Sequence, residues 1–228
     1  MSRAEILEST DAAVAGIEDG STILVGGFGL AGMPFDLIDA LIRQGAKDLT
    51  IVSNNAGNGD VGLAALLAAG RVRKVLCSFP RQADSWVFDG LYQEGQIELE
   101  VVPQGNLAER MRAAGAGIGA FYCPTAVGTP LAEGKEEREI DGRKYLLEYP
   151  IKGDYALIGA HTLGNLVYRK TARNFGLVMA TAATTIIVQV DRVVDPGELD
   201  PEAVVTPSIY IDRIVQVTAR HYTVQGAR

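Results

Sequence analysis

The hydrophobic positions of this chain fall into short apolar runs separated by amphipathic stretches. Ile23-Leu24-Val25, Leu49-Thr50-Ile51-Val52 and Val72–Cys77 are compact runs bounded by glycine, asparagine or charged residues. Such runs mark strands buried on both faces. Between them the apolar residues recur at helical spacing. The pattern predicts helices over 3–16, 34–44, 61–69, 84–94 and 106–114, and strands over 21–26, 49–53, 72–77 and 97–102. Strands and helices that alternate with short links require a parallel sheet covered on both faces. The middle of the chain breaks this rhythm. Glu139–Tyr149 reads as a hairpin around Asp141-Gly142, and the charged run Glu133–Arg138 before it as a solvated turn. Further strands are predicted at Tyr155–Ala160, Thr184–Val190 and Ile209–Val217. No repeat or linker marks a second unit. The expected fold class is α/β, an open, mostly parallel sheet with helices on both faces, as a single domain over 1–228. Ligands of such sheets sit beyond the carboxyl ends of the strands. Three loops fall there, Gly26–Gly32, Asn54–Asp60 and Pro103–Asn106, and the topology predicts that they converge.

The first of these loops is the most informative. Ile23-Leu24-Val25 ends abruptly in Gly26-Gly27, and Pro34 opens the next amphipathic segment. Glycine lets a ligand lie against bare backbone and permits positive φ. The helix behind such a turn presents unpaired N–H groups, which suit phosphate, carboxylate or an oxyanion. Gly27-Phe28-Gly29-Leu30-Ala31-Gly32 also spells the dinucleotide fingerprint Gly-x-Gly-x-x-Gly. That fingerprint calls for an acid after the second strand, and Leu49–Ser53 runs instead into Asn54-Asn55. A nicotinamide-binding module acting alone and a purely structural turn stay open beside the anion-binding reading.

Composition narrows the classes. A chain of 228 residues with 47% hydrophobic residues and 26 glycines suffices for one α/β domain with a sizeable core. A net charge of −7 argues against a nucleic-acid partner but leaves small anions open, because local charge decides those. Cys77 and Cys123 stand far apart with no Cys-x-x-Cys pair, so they are expected as small apolar residues in a reducing cytoplasm. His161 and His221 have no spacing for a metal or a triad, and no metal is expected. The apolar stretch Leu63–Ala69 is far short of the roughly 20 residues that span a bilayer. No targeting segment is read at the start, so neither a membrane nor secretion is expected. Arg71, Arg73 and Lys74 form a basic knot, read either as a phosphate contact or as a solvated junction. Trp86, Phe88 and Tyr92 are expected to pack one helix face.

A longer pattern outweighs the fingerprint. Asp19-Gly20, two residues, three apolar residues, Gly26-Gly27-Phe28, three residues, and Gly32-Met33-Pro34 resemble the first-subunit signature of the family I coenzyme A transferases. Ser53-Asn54-Asn55-Ala56-Gly57-Asn58-Gly59, Cys77–Arg81, Pro103–Arg110, Leu131–Lys135 and Arg169–Phe175 extend that resemblance over nearly all of the chain, closest to α subunits of 3-oxoacid CoA-transferases. The resemblance implies covalent catalysis by a glutamate that attacks the acyl-CoA, giving an acyl anhydride and then a glutamyl-CoA thioester. In two-chain members that glutamate belongs to the β subunit, in a Glu-Asn-Gly motif. This sequence has no Glu-Asn-Gly, so no nucleophile is expected here and a β subunit is implied, in a heterodimer or heterotetramer. It further implies that Asn54, Asn55 and Gln104 supply donors opposite the glutamate, and that Val25, Gly26, Gly27, Phe28, Gly29, Leu30 and Ala31 meet CoA. No permanent cofactor is implied; a CoA thioester is the substrate. Residues 54–66 favour 3-oxoadipate over acetoacetate as acceptor from succinyl-CoA.

Read by themselves, Asn54 and Asn55 also suit a turn that satisfies its own backbone. Asn106 with Glu109 spells an N-cap and its return partner. Gln104 has no evident local role, and Phe28 either covers the glycine turn or plugs the core. One departure from the family pattern is a shortened loop at His161-Thr162-Leu163.

Overall fold

The computed structural model describes residues 4–82, 84–160, 165–195 and 197–218; the His161–Leu163 loop and His221 lie outside them. The first half alternates β1 (Glu5–Leu7), α1 (Thr10–Val14), β2 (Thr22–Val25), α2 (Phe35–Gln44), β3 (Leu49–Val52), α3 (Leu63–Ala68), β4 (Val72–Cys77), α4 (Trp86–Gln93), β5 (Glu98–Val101) and α5 (Gln104–Gly115). A small sheet follows from β6 (Phe121–Cys123), β7 (Glu137–Ile140) and β8 (Arg143–Glu148). The chain then returns through β9 (Gly153–Ala160), α6 (Gly176–Ala182), β10 (Ala183–Val190) and β11 (Arg213–Gln216).

Eight strands pair in parallel in the order β1-β11-β10-β9-β2-β3-β4-β5. From β2 the chain steps outward through β3, β4 and β5. It then comes back to β9, beside β2, and steps the other way. The order therefore reverses between β2 and β9, and the crevice beyond their carboxyl ends is where such sheets hold ligands.

Successive strand residues face opposite layers, so each apolar run feeds both. Ile23 and Val25 pack with Val14, Leu37, Leu66 and Phe88 of α1 to α4, whereas Leu24 packs with Leu107, Met111 and Met179 of α5 and α6. The expected α/β architecture with both faces covered is thus observed. Among the described residues no helix is long and apolar enough to cross a membrane. The predicted hairpin forms with the expected two-residue turn, Asp141 at φ 50° and Gly142 at φ 75°, the positive pair that a type I′ turn needs.

Four local expectations are corrected. Residues 3–16 do not form one helix. Glu5–Leu7 is an edge strand paired with β11, and α1 starts only after Ser9, whose Oγ accepts from Ala12 N at 3.1 Å. Glu137 and Arg138 belong to β7, not to a turn. Asn106 is no N-cap: α5 starts two residues earlier, after Pro103. Of the three aromatics on α4, Phe88 is in the core while Trp86 and Tyr92 are half exposed.

Cys77 is buried, as expected, and Cys123 is partly buried, with Sγ 3.3 Å from Asn106 Oδ1. Desolvation pushes the Cys77 thiol up to about 12, and also pushes the Tyr168 hydroxyl, which touches Thr206 Oγ1 at 2.8 Å, to about 12. In the unfolded chain these protons leave at pH about 8.5 for cysteine and about 10 for tyrosine. Their contribution to stability is complete below those values and is lost as pH rises toward about 12. Urea midpoints taken at pH of about 8, 10 and 11 should decline in that order; a flat series would show that neither group stays protonated in the fold.

Candidate active site

The rim at the carboxyl ends of β3, β4 and β5 is built around Asn54, which is 1% exposed. Its backbone oxygen accepts from Ser78 N at 3.2 Å and Phe79 N at 3.0 Å, fixing the loop after β4 against the loop after β3. Its side-chain Oδ1 accepts from Ser78 Oγ at 2.7 Å and from Gln104 Nε2 at 2.7 Å. With Oδ1 committed twice, what Asn54 has left to offer is its Nδ2 donor edge. Gln104, the first residue of α5, is exposed, so it reaches Asn54 from the open side of the rim. The structure thus gives Gln104 the local partner that the sequence did not reveal.

Asn55 behaves differently. Its Oδ1 accepts from Gly57 N at 2.9 Å, closing a local turn, while its buried Nδ2 has no partner. The same loop buries two further unpartnered atoms, Ser53 Oγ and Asn58 Oδ1. It is clasped from outside: Asn58 Nδ2 donates to Asp84 Oδ1 at 2.7 Å and also to Gln82, and Gly59 N donates to Asp84 O at 2.8 Å. Gly57 has φ +101°, and a Cβ there would lie 2.5 Å from Ala64 N, so only glycine fits where the loop passes under α3.

At the end of β2 the glycine segment does not run straight into a helix. Gly26 N donates to Leu157 O on β9 at 3.0 Å. Phe28 N and Ala31 O pair at 3.0 Å, and Ala31 N and Phe28 O at 3.1 Å, closing a tight loop with Gly29 and Leu30 at its tip. Neither tip N–H has a partner among the described residues. Val25, Gly26 and Gly27 are buried, and Phe28 to Ala31 are the accessible part; Phe28, at 51% exposure, covers the turn and does not plug the core. The expected open helix N-terminus is absent. Phe35 N donates to Met33 O at 3.0 Å, and Leu37 N donates to Gln189 Oε1 of β10 at 3.1 Å. A side chain from another strand has taken the place of the anion.

Asn174 holds this turn, a role that sequence reasoning missed. Its Oδ1 accepts from Gly27 N at 3.1 Å and its Nδ2 donates to Ala31 O at 2.9 Å. Gly32 lies so close to the same segment that a Cβ would sit 2.5 Å from Ala172 O. Asn174 stands in the Arg169–Phe175 stretch, which drew notice as a pattern, but its partners lie 147 and 143 positions away. The three predicted loops do converge. Asn54 bonds Gln104, and Gly62, which ends the Asn54 loop, packs against Met33 and Phe35 beside the glycine turn.

Residues 7–217 of this chain match the coenzyme A transferase family. The chain belongs to that family. It is 68% identical over 214 residues to the first of the two subunits of 3-oxoadipate CoA-transferase from Pseudomonas putida, covering 92% of this chain and 93% of that one. It is 47% identical over 213 residues to the corresponding subunit of a succinyl-CoA:3-ketoacid coenzyme A transferase from Helicobacter pylori strain J99, covering 92% and 91%. A crystal structure of an acyl-CoA transferase from Escherichia coli O157:H7, a thioester complex with CoA, superposes with a TM-score of 0.84 at 26% identity. That match covers 99% of this chain and 52% of the other. Glutaconate coenzyme A-transferase from Acidaminococcus fermentans shares the fold, with a TM-score of 0.82 at 19% identity over 94% of this chain and 76% of the other.

For a transferase chain, what the rim lacks is as telling as what it holds. The rim loops 26–34, 53–62, 78–85 and 102–103 contain no glutamate. Among the described residues no group of acids, histidines or cysteines is arranged to hold a metal ion. The basic knot lies at the amino-terminal end of β4, across the sheet from the rim. There Arg73 pairs with Glu98 at 2.9 Å, Lys74 pairs with Glu100 at 2.8 Å, and Arg71 donates to the backbone of Gly45 at 3.1 Å. These cations are engaged within the fold.

Proposed function

We propose that this chain is the α subunit of a 3-oxoadipate CoA-transferase, a single domain that moves CoA from succinyl-CoA to 3-oxoadipate only when joined to a β subunit. One observation carries the reading: a rim of amide donors with no glutamate, in a chain 68% identical to one subunit of a 3-oxoadipate transferase. The partner's glutamate attacks the thioester carbonyl, and CoA leaves as thiolate from a mixed anhydride. The thiolate then attacks the enzyme's acyl carbon, releasing succinate and leaving glutamyl-CoA; 3-oxoadipate reverses these steps. Negative charge develops on the carbonyl oxygen at each addition, and preorganised donors stabilise it. Asn54 and Gln104 supply those donors. Being uncharged, they stabilise the oxyanion without pairing with the attacking carboxylate and dulling it. Asn55 braces the loop, and Phe28 with the free N–H groups of Gly29 and Leu30 borders the acyl and pantetheine portion.

The chain purified alone is expected to show no transfer, and activity should appear on adding a β chain that carries Glu-Asn-Gly. Activity from this chain by itself would overturn the subunit reading. Faster turnover of acetoacetate than of 3-oxoadipate by the reconstituted enzyme would overturn the acceptor assignment.

A further inference from the structure

The donors above account for the reacting oxygens, but the substrates of the transferase proposed here carry a second charge. 3-Oxoadipate and the succinyl group each have a distal carboxylate, and CoA carries phosphates. A chain of net charge −7 needs a local positive field to receive them. On the β3–β4 side of the rim the charges are Asp60, Asp84, Asp89 and Arg81, and Arg81 is paired with Asp89 at 2.8 Å. The other side differs. Arg169, Lys170 and Arg173 are exposed, and none has a carboxylate partner among the described residues.

These three cations belong to the segment seated on the glycine turn. Ala172 touches Gly32, and Asn174 bonds both Gly27 and Ala31. The backbone that carries the charges is therefore fixed relative to the turn tip, at the switch point between β2 and β9. Lys170 holds φ +52°, a left-handed conformation that lysine seldom adopts. Guanidinium forks match carboxylate and phosphate oxygens two at a time, whereas a lysine acts as a point charge. We propose that Arg169, Lys170 and Arg173 form an anion subsite beside the glycine turn, which binds the charged end of the substrate remote from the reacting carbonyl. It rests on the transferase reading above.

The test uses the reconstituted two-subunit enzyme with R169Q, K170Q, R173Q and the triple variant. Each is compared on 3-oxoadipate against 3-oxohexanoate, and on succinyl-CoA against succinyl-pantetheine. Removing a charge-assisted contact is expected to raise KM about tenfold or more for the charged member of one pair, with kcat nearly unchanged. A rise for 3-oxoadipate alone places the distal carboxylate at the subsite; a rise for succinyl-CoA alone places the phosphates there. Equal losses on all four compounds, unchanged KM values in the triple variant, or separation of the subunits on gel filtration would each overturn the proposal. Calorimetric titration of the enzyme with CoA and with adipate needs no turnover. If the wild-type enzyme fails to use 3-oxoadipate but the triple variant still binds either anion more weakly, the acceptor reading falls and the subsite stands.

Discussion

Gln104→Ala is expected to lower the kcat of the reconstituted enzyme by about 100-fold or more, the usual cost of losing one oxyanion donor. The loss has two parts. The side-chain amide disappears from the rim, and Asn54 Oδ1 loses the 2.7 Å bond that orients it, which frees the Asn54 amide to rotate. Stability should hardly move, because Gln104 is exposed and one neutral hydrogen bond contributes only about 1 kcal/mol. At this chain length that is about 2–4 °C in Tm. Gln104→Glu separates the two parts: it keeps the size but removes the donor, so it should be as poor as alanine. Wild-type turnover in the alanine variant, with the heteromer intact, would reduce Gln104 to a loop residue.

The largest stability loss is expected at Glu148, far from any predicted chemistry. Its carboxylate is 1% exposed and binds Lys135 Nζ at 2.6 Å and Asn106 Nδ2 at 2.9 Å, with Arg110 Nε at 3.8 Å. Arg110 also donates to Tyr149 O at 2.6 Å and pairs with Glu100 at 3.2 Å. Taking one partner from such a cluster strands the others away from water and costs roughly 3–5 kcal/mol. Glu148→Ala should therefore lower Tm by about 6–20 °C, on the scale of about 2–4 °C per kcal/mol. Because Asn106 lies two residues beyond Gln104 on α5, kcat should fall as well. Replacing Glu148 and Lys135 together should cost less than the sum of the single changes; strict additivity would show that the pair is not coupled.

The alternation of strands and helices was legible because each apolar run is long enough to need two covered faces. The failures share one cause, partners remote in sequence. Glu5-Ile6-Leu7 lacks any strand period of its own and becomes a strand only through β11 at the other end of the chain. Asn106 and Glu109 spell a capping box, yet the Asn106 amide goes to Glu148, 42 positions on. The glycine turn suggested an anion at a helix N-terminus, and Gln189 occupies it from 152 positions away. At the site, Asn54 and Gln104 could be nominated by motif, but their mutual bond and the hold of Asn174 on the turn follow from tertiary structure alone.

That hold also sets an order of events during folding. β2 pairs with β9, and its turn is pinned by Asn174, so neither can be completed until the last third of the chain is present. On a ribosome the strands β2 to β5 emerge first and have one another to pair with, but the sheet edge at β2 stays open meanwhile. Such long-range closure is slow and leaves an apolar edge exposed to wrong partners. The catalytic rim is then among the last parts to mature, and truncation before residue 174 should leave the first half with much of its pairing but without a working site.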